Sequence, residues 1–180
     1  MKTLLYAAIL AASLWILTEF LEMASPEGFT PLSMWLTTLW HPILALGFWG
    51  LHKSQSPKRN RLSLIGVLLL ILSFIAFAPV SLMILNSTVV NSFPEFIQQN
   101  PIYQVFGLMS LIGYILFAIS MIRTRYYAGW MGFVILLTVL LSVVQNFAQL
   151  AEIWQHVAFI ITSLVIISMS VFALRQQTKG

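Results

Sequence analysis

The sequence predicts an all-α fold, a polytopic transmembrane helical bundle of six spans that forms a single domain over residues 1–180. Two observations lead to this fold class. Hydrophobic residues make up 59% of the chain and charged residues only 8%, whereas soluble domains carry about 25% charged residues. The apolar residues also fall into separate stretches of about 20 residues, which is the length of helix that crosses a bilayer. This leaves no room for a soluble catalytic or nucleic-acid-binding domain.

The first three spans are bounded by turn residues and charges. The first covers residues 3–23 and ends before a Ser-Pro-Glu-Gly turn. Thr30 supplies an N-cap for the second span, residues 31–52, which begins with a proline. The third span covers residues 62–85 after a basic loop. Pro79, near its far end, predicts a kink there.

The last three spans lie in the second half of the chain, at residues 101–122, 127–147 and 153–174. No glycine or proline separates the fifth span from the sixth. One continuous helix across both would be about 70 Å long, so the chain must turn between them. We expect this turn at a polar cluster that consists of Gln145, Asn146 and Gln149.

The basic residues predict the orientation. With six spans, every Lys and Arg falls on one side of the membrane, and cytoplasmic loops retain these residues during insertion. We therefore expect a multi-pass protein of the inner (plasma) membrane with both termini in the cytoplasm. The net charge of +4 indicates contact with anionic membrane lipids rather than with nucleic acid. The residues concerned are Lys2, Lys53, Lys58, Arg59, Arg61, Arg123, Arg125, Arg175 and Lys179.

The turn after the fourth span carries a short signature, Arg123-Thr-Arg-Tyr-Tyr-Ala-Gly-Trp-Met-Gly132. An apolar helix, a basic turn with aromatic residues and a Gly-Trp-x-Gly opening of the next helix resemble small bacterial integral membrane proteins classed as a domain of unknown function. The resemblance covers one turn of the chain. It implies a compact helical bundle in a bacterial inner membrane, and it carries over no catalytic residues.

Ionisable residues inside the spans are candidates for a site, because a charge in lipid costs a few kcal/mol. Glu19 lies about 25 Å along a helix from Lys2, which leaves it inside the outer edge of the hydrocarbon core. Glu22 follows on the same helix face, so both carboxylates can point into the bundle. The alternative is that Glu19 extends to water and only marks the end of the span.

Glu152 and His156 form a second pair, at the i, i+4 spacing that stacks two side chains on one helix face. A carboxylate bonded to an imidazole fixes its tautomer and raises its basicity, which suits a proton acceptor, a metal ligand or a cation site. Gln145 and Gln149 lie at the same depth. A capping glutamate and an interfacial histidine explain the same residues without a function.

His41 is the deepest candidate, about 15 Å into the membrane from the start of its span. Pro42 follows it and frees the carbonyl of Thr38, which predicts a kink and a small polar pocket. A buried neutral histidine, satisfied by that carbonyl or by a threonine hydroxyl, is the alternative without a function. Tryptophans can wall a cavity here or form the outer aromatic belt. Those concerned are Trp15, Trp35, Trp40 and Trp154.

Several enzyme classes lack their residues in this sequence. The chain contains no aspartate, no cysteine, no His-Glu-x-x-His, no Gly-x-Ser-x-Gly and no glycine-rich phosphate loop. The signatures of intramembrane aspartyl, zinc and serine proteases and of nucleotide-driven chemistry are therefore missing. We predict no metal and no cofactor.

Three functions remain as hypotheses. The first is a protein that binds or transports a small amphipathic or cationic ligand in a polar pocket near the outer leaflet, with Glu19 and Glu22 as counter-charge. The second is an intramembrane enzyme that isomerises or cyclises a lipid or isoprenoid, with Glu19 or Glu152 as acid and His156 as base. The third is a structural subunit of a membrane complex or homo-oligomer. We favour the first, because binding demands less coordinated geometry than catalysis.

Overall fold

The computed structural model describes residues 1–25, 30–56, 58–86, 99–148 and 153–178. Within these ranges the chain is helical and has no strand, which confirms the all-α class. The helices are α1 (Lys2–Ala24), α2 (Pro31–Ser54), α3 (Arg61–Phe77), α4 (Val80–Leu85), α5 (Pro101–Thr124), α6 (Gly129–Ala148) and α7 (Ile153–Gln177).

Four helical stretches are long and apolar enough to cross a membrane, and they indicate a membrane protein. They are Lys2–Ala24, Arg61–Leu85, Pro101–Thr124 and Ile153–Gln177, while Gly129–Gln145 is a shorter apolar helix. Helix α2 has a similar length, 24 residues. It is not among the four, because polar residues, His41 among them, interrupt its apolar sequence.

The helices pack as a ring in the order in which they follow along the chain. With α3 and α4 taken as one member, each helix contacts its successor, and α7 closes the ring against α1. Neighbours run antiparallel. Near the end of α1, Trp15 stacks on Trp40 of α2, and near its start Ala8 meets the later residue Gly47. The start of α1 and the end of α7 therefore lie at the same end of the ring.

We call this the basic end, because Lys2, Lys53, Arg61, Arg123 and Arg175 all lie there, at the starts or ends of helices. The α2–α3 and α5–α6 connections lie at the same end. The other end of the ring holds the end of α1 and the start of α7, which carry Glu19, Glu22 and His156, and we call it the carboxylate end.

Small residues let the helices approach closely towards the basic end. A Cβ atom at Gly47 would lie 2.6 Å from the Cα of Ala8, and one at Gly66 would lie 2.8 Å from the carbonyl oxygen of Gly113. Both positions face the backbone of a neighbouring helix, which has no rotamer by which to give way. Glycine is therefore required at these contacts, as is usual where membrane helices pack closely.

Several buried polar groups at the basic end are paired across helices, although the buried side-chain amide of Gln55 has no partner among the described residues. Tyr127, in the α5–α6 connection, donates to the carbonyl of Leu51 at 2.9 Å, and its oxygen lies 2.6 Å from the Ser54 hydroxyl. Burial raises the pKa of Tyr127, so it remains a neutral donor. His52 Nδ1 lies 2.8 Å from the Ser63 hydroxyl. These bonds link the end of α2 to the first turn of α3 and to the α5–α6 connection.

Among the described residues, Pro42 and Pro79 act differently on their helices. Helix α3 ends at Phe77 and α4 begins at Val80, so the kink expected at Pro79 is a break of the helix. Helix α2 continues through Pro42. The break matters for the site, because it sets α4 against α2 beside a cavity.

Candidate functional site

The carboxylate end of the ring contains a cavity of about 220 Å³ between α1, α2, α3, α4, α5 and α7. Its wall combines ionisable, polar and aromatic side chains. They are Trp15, Thr18, Glu19, Glu22, Met34, Thr37, Trp40, His41, Phe74, Phe77, Ser81, Ile84, Ser110, Tyr114, Gln155, His156 and Phe159. The cavity therefore brings together residues from the first helix, the second helix and the last.

Glu19 has two hydrogen-bond partners on this wall. It is only 4% exposed. It accepts a hydrogen bond from the indole N–H of Trp15 at 2.7 Å, and its Oε2 lies 2.6 Å from Nδ1 of His156. Trp15 is one turn earlier on α1, so the bond follows from helical spacing, whereas the contact with His156 joins the first helix to the last. Glu19 thus points into the ring and does not extend to water.

Glu22 lies one turn further along the same face of α1 and is 9% exposed. One ligand atom from each of Glu19, Glu22 and His156 lies within 4.8 Å of the others. Carboxylate and imidazole are donors that Zn²⁺ accepts, at distances of about 2 Å, so the three side chains would have to close in to hold an ion. Without such movement, the set suits a larger cation such as an organic ammonium.

His41 forms part of a stack of flat rings on the cavity wall. Its ring lies 3.8 Å from that of Trp40, and Trp40 lies 4.7 Å from Trp15, with interplanar angles of 14° and 12°. Its Nδ1 lies 2.6 Å from the carbonyl oxygen of Thr37. The sequence suggested the carbonyl of Thr38, which Pro42 frees. The ring instead bonds the carbonyl one turn before its own residue.

The glutamines and Glu152 are only partly described. Gln145 donates to Gln155 at 3.2 Å, and Gln155 lines the cavity. Gln149 and Glu152 lie outside the described residues, as does the side chain of Asn146. The expected pairing of Glu152 with His156 is therefore not seen, and the partner that the structure gives His156 is Glu19. Helix α6 ends at Ala148 and α7 begins at Ile153, so Gln145 and Asn146 lie inside a helix and not in the turn expected there, while Gln149 lies outside the described residues.

The four tryptophans divide into two pairs. Trp15 and Trp40 are each 5% exposed and wall the cavity, whereas Trp35 and Trp154 are 52% and 49% exposed. The first pair faces the cavity, and the second lies on the outer surface of the ring, which is the position that an aromatic belt requires.

Several wall residues were not among the candidates from the sequence. Tyr114 and Ser110 of α5, Phe74 of α3 and Phe159 of α7 all line the cavity. A single tyrosine or serine in an apolar span carries no periodic or charge signal, so nothing in the sequence marked them. Gln155 offered a signal, since it directly precedes His156.

No family model matches this chain, and neither a curated protein nor a solved structure matches it significantly. The likeness of the Arg123–Gly132 turn to small bacterial membrane proteins thus remains a resemblance. The geometry of the cavity is what bears on function.

Proposed function

We propose that this protein binds or transports a small amphipathic or cationic ligand in the cavity at the carboxylate end. The observation that carries the proposal is the meeting of Glu19, Glu22 and His156 in one cavity with aromatic walls. When both carboxylates are ionised, their charge outweighs that of one imidazole in either of its protonation states, so a cation is the complementary ligand. Ionisable groups inside a membrane bundle typically mark a substrate or ion site.

Two donors without partners support a ligand that also carries an acceptor. Trp40 and Tyr114 line the cavity. Among the residues described, nothing accepts from the buried indole N–H of Trp40 or bonds the buried hydroxyl of Tyr114. A buried donor left unpaired costs about 1–3 kcal/mol. A ligand with an ammonium group for the carboxylates and a hydroxyl oxygen for these donors would satisfy both once the neighbouring side chains move, because each donor atom is buried.

The orientation we propose sets this cavity near the outer leaflet. In it, α1, α2, α3 with α4, α5, α6 and α7 form six spans. The described Lys and Arg residues all lie towards the basic end, and the positive-inside rule favours that end for the cytoplasm, together with both termini. A ligand would then reach Glu19 from the outer side of an inner (plasma) membrane.

An intramembrane acid–base enzyme is the second candidate. The 2.6 Å contact between Glu19 and His156 favours it, because a carboxylate that orients an imidazole makes it a better base. Its substrate would be a lipid or isoprenoid. Trp15 and Trp40 stack on one another, so one face of each ring is not free to stabilise a carbocation. This arrangement favours binding over cyclisation.

Calorimetric titration of N-butylethanolamine, a cation at neutral pH, into the protein in lipid nanodiscs tests the proposal. We expect saturable binding to the parent, and about tenfold or greater loss of affinity in Glu19→Gln and in His156→Ala, because bonds to charged groups contribute about 1.5–3 kcal/mol. His52→Ala is the matched control, since His52 lies at the basic end against Ser63, and it should bind like the parent.

Equal binding by the parent and both site variants would show that the pocket is not the site. Native mass spectrometry with elemental analysis of the same sample separates the alternatives. A stoichiometric lipid or amine that is lost in Glu19→Gln supports a binding protein, whereas a stoichiometric metal lost in the same variant would redirect the assignment to metal chemistry.

A further inference from the structure

A second cavity of about 630 Å³ adjoins the first. It lies mainly between α5, α6 and α7. Six residues line both cavities, which makes the two spaces neighbours with a common wall. The shared residues are Trp15, Phe77, Ser110, Tyr114, Gln155 and Phe159.

The second cavity presents an apolar surface despite the hydroxyl residues on its wall. Thr138, Ser142 and Thr162 line it, but each hydroxyl donates to a carbonyl oxygen of its own helix, or in part to another hydroxyl. Groups satisfied in this way offer methyl and methylene surface to a ligand. The remaining wall includes Leu111 and Val139. Among the residues that the structure describes, the second cavity, unlike the first, is lined by no carboxylate or imidazole.

The missing side chain of Gly107 contributes to the space in this cavity. This residue lies on the wall contributed by α5, and a Cβ atom built there would meet no other atom within 4 Å. At Gly47 and Gly66, by contrast, the added atom would collide with a neighbouring backbone. Gly107 therefore leaves a gap between α5 and α6, whereas the other two glycines close a contact.

We infer that the two cavities form one site for a single-chain amphiphile, with its cationic head at Glu19, Glu22 and His156 and its hydrocarbon or isoprenoid chain in the second cavity. The inference rests on the proposed function and specifies its ligand class. Among the described residues that line the two cavities, the carboxylates and the imidazoles belong to the first cavity only, whereas the second cavity adds apolar volume beside them, which suits the charged head and the chain of an amphiphile. The volume of the second cavity lies within the usual range for ligand pockets, about 300–1,000 Å³.

Affinity as a function of chain length is a poor test of this site. A bilayer is as apolar as the cavity, so moving a chain from lipid into the protein changes little free energy. The position of the chain is the property that distinguishes the two environments. Labelled positions on helix α6 can distinguish a chain in the cavity from a chain in the lipid. Thr138 and Ser142 line the cavity, while Leu137 and Leu140 are 64% and 57% exposed on the outer surface.

The experiment uses N-dodecylethanolamine with a photoreactive diazirine at the end of its chain, added to the full chain in nanodiscs. After irradiation, mass spectrometry maps the labelled residues. We expect the label at Thr138 and Ser142, and competition by unlabelled N-dodecylethanolamine. Gly107→Trp should reduce this labelling at least tenfold, because the indole fills the gap. Gly129→Trp is the matched control, since a Cβ at Gly129 also meets no atom within 4 Å and this residue is absent from both cavity walls.

Two failures can be told apart. If N-butylethanolamine binds in a Glu19-dependent manner but the diazirine labels only Leu137, Leu140 and other outer residues, the chain lies in the lipid and this inference is wrong while the proposed function stands. If neither amine shows Glu19-dependent binding, the proposed function fails and this inference fails with it. Should Gly107→Trp not fold, Val143→Trp on the opposite wall gives the same reading.

Discussion

The two ends of the ring differ in what surrounds their buried polar groups. At the basic end, glycines bring the helices together, and Tyr127 bonds the carbonyl of Leu51 and contacts Ser54, although the buried Gln55 side-chain amide has no partner in the described part of the chain. At the carboxylate end, Glu19 and His156 face a cavity, and the donor of Trp40 has no partner within the described parts of the chain. The first arrangement contributes to stability. The second leaves groups available to a ligand at some cost in stability, which is the usual compromise at functional sites.

The largest effect should come from filling a tight contact near the basic end. Gly47→Val puts a branched side chain where a Cβ already lies 2.6 Å from the Cα of Ala8. We expect a loss of about 3 kcal/mol in stability, because the backbone of α1 cannot give way. Thermal unfolding in detergent measures it. An unchanged midpoint would mean that α1 and α2 are further apart than the structure shows.

A smaller loss should follow from removing one hydroxyl at the same end. Tyr127→Phe leaves the buried carbonyl of Leu51 and the hydroxyl of Ser54 with one partner fewer, which costs about 1–2 kcal/mol. The midpoint of thermal unfolding should fall, with binding of N-butylethanolamine unchanged. Tyr6→Phe is the control, because Tyr6 is 60% exposed. Equal midpoints for the two variants would show that the hydrogen bonds of Tyr127 at the basic end do not contribute to stability.

At the carboxylate end we expect a substitution to raise the stability of the ligand-free protein. Glu19→Gln keeps an acceptor for Trp15 and removes a carboxylate that is costly to bury, and His156 can stay as the neutral imidazole, so we expect the ligand-free protein to gain up to about 1 kcal/mol in stability while it loses affinity for the amine. Thermal unfolding without ligand, followed by unfolding with it, separates the two effects. A clear loss of stability without ligand would make the contact of Glu19 with His156 a structural bond.

The smallest effect should occur at Gly107. Gly107→Ala adds an atom that meets nothing within 4 Å, and alanine favours a helix over glycine by about 1 kcal/mol. The midpoint of thermal unfolding should therefore stay the same or rise slightly, in contrast to Gly47→Val. A marked fall would show that α5 and α6 are closer at Gly107 than at the glycines of the basic end.

Much of this comparison depends on features that the sequence could indicate. Composition and span length predict an all-helical protein, because apolar runs are local properties of the chain. The depth of Glu19 in its span also follows from the nearby sequence. The partner of Glu19 does not, since the rotation of one helix against another depends on packing over the whole bundle. The sequence suggested Glu152, four residues away, as a partner of His156, and this pairing lies outside the described residues. The contact of His156 with Glu19, which is 137 residues away in sequence, had no local signal.

The second cavity lay beyond sequence reasoning for a related reason. Gly107 and Gly47 are both glycines within long helices. A side chain at Gly107 would meet open space, whereas one at Gly47 would meet the neighbouring helix. Only the neighbouring helix decides which. Tyr114 and Ser110, on the wall shared by the two cavities, were missed because isolated polar residues in a span are common and carry no period.

The order of helices around the ring also has a consequence for biogenesis. Nearly every helix contact joins chain neighbours, so the bundle can grow hairpin by hairpin during synthesis. The contacts of α7 with α1 and, to a smaller extent, with α2 are the exceptions, and they can form only after all the other described helices have been made. Glu19 and His156 meet across the contact of α7 with α1. The site is thus assembled in the final step of folding, and a nascent chain that lacks α7 has no competent site to occupy.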